Sequence, residues 1–130
     1  MTEPAFNVKL DTSGDPVRAE FRWSGELDTE QTTRFAVWIK SQPDVHQNAL
    51  LAVERSPDGM TRTYRHQFKP RHQLDCGQVV EMTDGRLVAE FPREVLAAYG
   101  PTFSWWGLLS VGENDRDTCS PEDSFVNLTS

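Results

Sequence analysis

The segment Gly112-Glu113-Asn114-Asp115-Arg116-Asp117-Thr118-Cys119-Ser120-Pro121-Glu122-Asp123 sets carboxylates at nearly alternate positions. Hard oxygen donors at that density are what Ca²⁺ takes. Glu113, Asp115, Asp117 and Asp123 are the ligands this reading selects. The segment departs from the EF-hand pattern, because Cys119 stands where a further ligand would fall and the obligatory glycine is missing. A solvated loop that uses Asp and Pro for its turns accounts for the same residues.

The second chemical resource is aromatic. The chain has four tryptophans, and planar indole faces are surfaces on which sugar rings and other flat amphipathic ligands stack. Trp105 and Trp106 are adjacent, so strand alternation sends one into the core and the other to the outer surface or an interface. Trp38 has the opposite parity to Phe35, Val37 and Ile39. The candidate ligand-binding set is therefore Trp38, Trp105 and Trp106, with core packing as the competing fate of each.

No catalytic residues are assigned. His46, His66 and His72 are scattered without a ligand-type spacing, and no nucleophile elbow is present. The basic stretch from Arg55 to Arg71 could hold an anion, yet Arg62 and Arg65 point to opposite faces of a strand, which favours pairing with the chain's own acids. Cys76 and Cys119 lie in polar, turn-rich surroundings, where a disulfide and two free thiols both fit.

These residues are carried by short alternating runs. Phe6 to Leu10 and Val17 to Trp23 flank the breaker Thr12-Ser13-Gly14-Asp15-Pro16 and read as a hairpin. Phe35 to Ile39 and Ala49 to Val53 are apolar on both faces, as strands in the middle of a sheet are. Ser56-Pro57-Asp58-Gly59 is a turn before the alternating run Thr61 to Phe68. Gln78 to Met82 and Leu87 to Phe91 make a second hairpin across Asp84-Gly85. A short helix is expected near 92–99, then a long strand from Phe103 to Val111 and an edge strand from Phe125 to Leu128. The expectation is one all-β domain spanning 1–130, an antiparallel two-sheet sandwich of jelly-roll type with about eight or nine strands, and a closed β-barrel as the alternative.

Composition sets outer limits. At 130 residues the chain is long enough for one hydrophobic core without staples, and its net charge of -7 repels nucleic acid and anionic lipid. No run approaches the length of a membrane span, and Met1 to Phe6 has no export-signal pattern. The expected location is cytoplasmic by default, unless the domain is an excised module or leaves without a cleaved signal.

Phe91-Pro92-Arg93 with Leu96, then Phe103-Ser104-Trp105, then Asp117 and Pro121, resembles the closing segment of DOMON-like and family-9 carbohydrate-binding-module-like sandwiches. Those domains end with an apolar-Pro-Arg step, a short helix, an aromatic strand containing Trp and an Asp-x-x-Pro-like turn. The resemblance implies an extracytoplasmic, non-catalytic binding module whose exposed aromatics take sugars or another flat ligand and in which Ca²⁺ steadies a loop. The haem or flavin ligation of some DOMON-like domains uses Met and His, and sequence alone does not set Met60 or Met82 opposite a His. The leading expectation is accordingly a binding module for a glycan, another small molecule or a protein. The alternatives are a structural subunit of a phage or secretion particle and a small β-barrel enzyme with His66, His72 or Asp75 lining its interior.

Overall fold

Alternation makes the first two strands half-buried. β1 (Phe6–Asp11) and β2 (Val17–Trp23) pair antiparallel with Phe6 opposite Trp23, and Phe6, Val8, Val17, Ala19 and Phe21 are buried while their neighbours face water. The computed structural model describes residues 6–24, 30–42, 48–68, 71–83, 85–99, 102–112, 114–119 and 125–127. Its further elements are β3 (Thr33–Gln42), β4 (Asn48–Arg55), β5 (Thr61–Phe68), β6 (Arg71–Asp75), β7 (Gln78–Thr83), β8 (Arg86–Phe91), α1 (Arg93–Ala97), β9 (Thr102–Val111), β10 (Asn114–Cys119) and β11 (Phe125–Asn127).

The strands form two antiparallel sheets, so the protein is an all-β sandwich and not a closed barrel. The four-stranded sheet has the order β1-β2-β8-β7. The seven-stranded sheet runs β10-β9-β3-β4-β5-β6, and β11 joins it by pairing with the start of β9. β3 is central, bonded to β4 on one side and β9 on the other, as its two-faced apolarity requires. In the β7–β8 hairpin Thr83 lies opposite Arg86, and Gly85 takes a φ of +83° that a tight connection needs.

Between the sheets lies one core. Phe21, Leu87 and Phe91 from the smaller sheet meet Phe35, Val37, Ile39, Leu51, Val53, Phe103 and Trp105 from the larger. The helix closes one end. Val95, Leu96 and Tyr99 are buried there, the Tyr99 carbonyl accepts a 2.6 Å hydrogen bond from the Ser41 hydroxyl, and the Tyr99 hydroxyl donates to Gln67 Oε1 at 2.8 Å. Gly107 sits where β1 crosses β9: a Cβ on it would overlap Val8 and stand 3.3 Å from the Phe6 ring. Only hydrogen fits there.

Two strands lie outside the eight or nine expected. β6, Arg-His-Gln-Leu-Asp, is exposed at all five positions, so it has no buried face to impose alternation. β10 occupies half of the stretch expected to be a loop, pairing with Gly107–Val111 through a bulge between Asp115 and Asp117. Its polar sequence carries no period that betrays a strand. Cys76 is a free thiol, which excludes its bridge to Cys119. Burial raises the thiol's pKa above its ordinary value.

Candidate functional site

In β5 the alternation of β1 and β2 is turned inside out. Tyr64, His66 and Phe68 point to the outer side of the seven-stranded sheet, while Gln67, on the other parity, reaches the buried end of the sandwich to meet Tyr99. The same outer side receives Ala36 and Trp38 of β3, Leu50 and Ala52 of β4, and Trp106 and Leu108 of β9. Ala36, Leu50, Ala52, Tyr64 and Leu108 form a second buried apolar cluster, with Trp38 packed against it. The large sheet therefore has an apolar layer on both faces.

On that layer stands a stack of three rings. Register sets Trp38 directly opposite Trp106, and the indoles stack at 5.2 Å between centroids and 12° between planes. Trp38 also stacks on Phe68 at 4.8 Å and 19°. β4 lies between β3 and β5, and adjacent strands are about 4.8 Å apart. Two such spacings separate Trp38 from Phe68, so the two side chains must lean over β4 to meet. His66 abuts Phe68 edge-on at 5.0 Å. Trp38 is thus covered on both faces, and the open ring faces of the stack belong to its ends, Trp106 and Phe68. Phe68 is 38% exposed. The Trp38 Nε1 proton donor is buried with no hydrogen-bond partner.

Phe68 and His66 also form one wall of a surface cleft of about 280 Å³, completed by Arg34, Leu50, Glu54, Tyr64, Arg71 and Gln73. Tyr64 donates its hydroxyl proton to Glu54, and burial, followed by that hydrogen bond, holds the phenol well above its ordinary pKa. Glu54 stands 3.8 Å from Arg34 Nε, and the Arg62 guanidinium lies over the Tyr64 ring at 5.1 Å while also pairing with Asp75 at 3.4 Å. His66 Nδ1 and Gln73 Oε1 are 3.2 Å apart.

No family model, curated protein or solved structure matches this chain at a significant level. Geometry alone therefore sorts the candidate residues. Trp105 leaves the ligand-binding set, since its indole is 4% exposed and packs between the sheets. Trp106 stays in it, while Trp38, stacked between Trp106 and Phe68, becomes the support of the stack. Glu113 and Asp123 lie outside the described residues. The backbones of Asp115 and Asp117 belong to β10. Among the described residues no group of three or more His, Cys, Asp or Glu side chains converges. The enclosed barrel cavity is overturned: His66 is on the outer face, and His72 and Asp75 are exposed on the edge strand β6.

Sequence reasoning missed Phe68 and the Tyr64–Glu54–Arg34 network, and it set His66 inside a barrel when it stands on the outer face. The signal was present in the parity of Tyr64 and Phe68 against Thr63, Arg65 and Gln67. What was lacking was the side of the sheet to which that parity belonged. A second concavity of about 330 Å³, lined by Asp15, Pro16, Gly77, Gln78, Glu90, Phe91 and Pro92, is larger but chemically poorer. Glu90 there is already held by Arg18 at 2.8 Å and Gln78 at 3.5 Å, and no stacked rings adjoin it. Among the described residues no helix is long and apolar enough to cross a membrane.

Proposed function

We propose that the protein is a non-catalytic binding module whose ligand, a sugar chain or another flat amphipathic molecule, lies on the outer face of the seven-stranded sheet. The observation that carries this reading is the Trp106–Trp38–Phe68 stack. Rings that could have filled a core are held on the solvent side, in register, over a buried apolar layer that fixes their orientation. Such a ridge is stiff before any ligand arrives, so little ordering entropy opposes binding. Trp106 and Phe68 supply the stacking faces, and Trp38 keeps them in line.

The resemblance of Phe91-Pro92-Arg93, Phe103-Ser104-Trp105 and the Asp117–Pro121 turn to carbohydrate-binding sandwiches supports a glycan over other flat ligands. A glycan array followed by tryptophan-fluorescence titration of the hits tests the reading. Trp106→Ala should weaken binding about tenfold, taking a ring–ring stacking contact as worth roughly 1 kcal/mol or somewhat more. Absence of any emission change with soluble polysaccharides ends the carbohydrate version. Calcium at Glu113, Asp115, Asp117 and Asp123 belongs to the same proposal. A melting temperature unmoved by EDTA and then by excess Ca²⁺ removes it, because a ligand that binds only the folded form must raise that temperature.

A structural-subunit reading has one observation of its own. Among the described residues β6 ends the large sheet with one edge unpaired, and its Leu74 is 42% exposed. Sedimentation that finds only monomer across a wide concentration range disposes of it.

A further inference from the structure

The cleft beside Phe68 has an excess of unused cationic groups. Among the described residues Glu54 is its one carboxylate, and it already accepts the Tyr64 hydroxyl proton. Gln73 and His66 face each other. The Arg71 side chain makes no hydrogen bond or ion pair with any described residue, and it is exposed. Arg34 has only the 3.8 Å approach of its Nε to Glu54, its Nε makes no hydrogen bond, and more than a third of its side chain is open to solvent. Two guanidinium groups against one engaged carboxylate leave this cleft locally positive on a chain whose net charge is -7. Arg62, at the rim, is neutralised by Asp75.

Guanidinium presents a planar fork of N–H donors that matches a carboxylate in a way that a hydroxyl does not. The placement of the two arginines on different strand levels adds a count. Arg34 is level with Arg62 of β5 through Glu54, while Arg71 is level with Phe68 of β5. Those two backbone levels on β5 lie about 20 Å apart at the usual strand rise, and from them both side chains reach into the one cleft. A ligand with one carboxylate for each fork needs more than one uronate ring.

We propose that this cleft binds an acidic oligosaccharide, its carboxylates held by Arg34 and Arg71 while one of its rings lies against the Phe68 end of the aromatic stack. The proposal rests on the glycan-binding reading above and narrows it to uronate-bearing chains longer than a single sugar. Tyr64 and Gln73, between the two arginines, line the floor with further polar groups for the sugar hydroxyls.

Calorimetric titration of the full chain is the test, with four probes: trigalacturonate, its methyl ester, free galacturonate and a sulfated trisaccharide. Trigalacturonate should bind at least tenfold more tightly than the ester and than the single sugar. Arg34→Lys and Arg71→Gln should each weaken the acid about tenfold and leave the ester unchanged. Half-molar NaCl should weaken only the acid. Near-UV circular dichroism verifies that both variants keep the stack. Equal affinity for acid and ester overturns this inference while leaving the binding-module reading intact. Tight binding of the sulfated probe alone overturns the carboxylate assignment. No heat and no tryptophan response with any of the four probes overturns this inference, and a blank glycan array beside it overturns the glycan reading as well.

Discussion

At the scale of single residues, the positions that matter are those where neighbours leave no latitude. Gly107 lies under Val8 and Phe6, so Gly107→Ala forces a methyl into a filled core and should cost about 1–3 kcal/mol, read as a lowered urea midpoint with an unchanged slope. A variant as stable as the parent would mean that β1 can move off β9 freely. Glu20 offers a different probe. The Arg86 guanidinium, at 2.5 Å, and then Arg22, at 3.4 Å, hold its carboxyl below the ordinary value of 4.5. A group whose folded pKa is depressed adds stability above its unfolded pKa, and that contribution disappears as pH falls through the lowered folded value. The melting-temperature gap between the parent and Glu20→Gln should therefore be open at pH 7 and close in acid. A gap that widened in acid would contradict the ion pair.

At the scale of elements, legibility followed burial. β1 and β2 were readable because each has one wet and one dry face, β7 and β8 because the Asp84-Gly85 turn marks a hairpin between two apolar runs, and β3 and β4 because Phe35 to Ile39 and Ala49 to Val53 are dry on both. β6 and β10 were not, since an exposed edge strand such as Arg71–Asp75 needs only backbone pairing, and Asn114–Cys119 reads as loop chemistry. The site was legible by half. Parity separated Trp106 from Trp105 and Trp38 from Val37, but no local pattern says that β5 turns Tyr64 and Phe68 away from the core that β1 and β2 face. That choice is made by tertiary partners, namely Leu50 and Ala52 on one side and Tyr99 on the other. The helix is a sensitive point by the same logic. Leu96 is fully buried at the closed end, and Leu96→Ala should cost about 2–5 kcal/mol in thermal or chemical unfolding. A cost below 1 kcal/mol would show that α1 merely covers the end without supporting it.

At the scale of the whole molecule, two sheets hold together without a covalent staple. Cys76 is free, so the melting temperature with and without dithiothreitol should coincide. A fall on reduction would put Cys76 in a bridge. The architecture also assigns unequal tasks to the two sheets. The four-stranded sheet buries one face, with Glu20, Arg86, Arg18 and Glu90 paired on its wet side. The seven-stranded sheet buries both over its middle strands and bears the rings and the cleft.

The two dry layers on β3, β4 and β9 also say where the molecule opens last. Backbone amides in Ala36, Val37, Ala52 and Leu108 are bonded to neighbouring strands and roofed above and below by apolar side chains, so water reaches them only when the whole domain unfolds. Amides of β6 have neither roof. In deuterium exchange the first set should report the global unfolding free energy, while β6 labels orders of magnitude sooner. Trp38 and Trp106 are thus rooted where exchange should be slowest, and Phe68 stands opposite Arg71 of the fast edge strand.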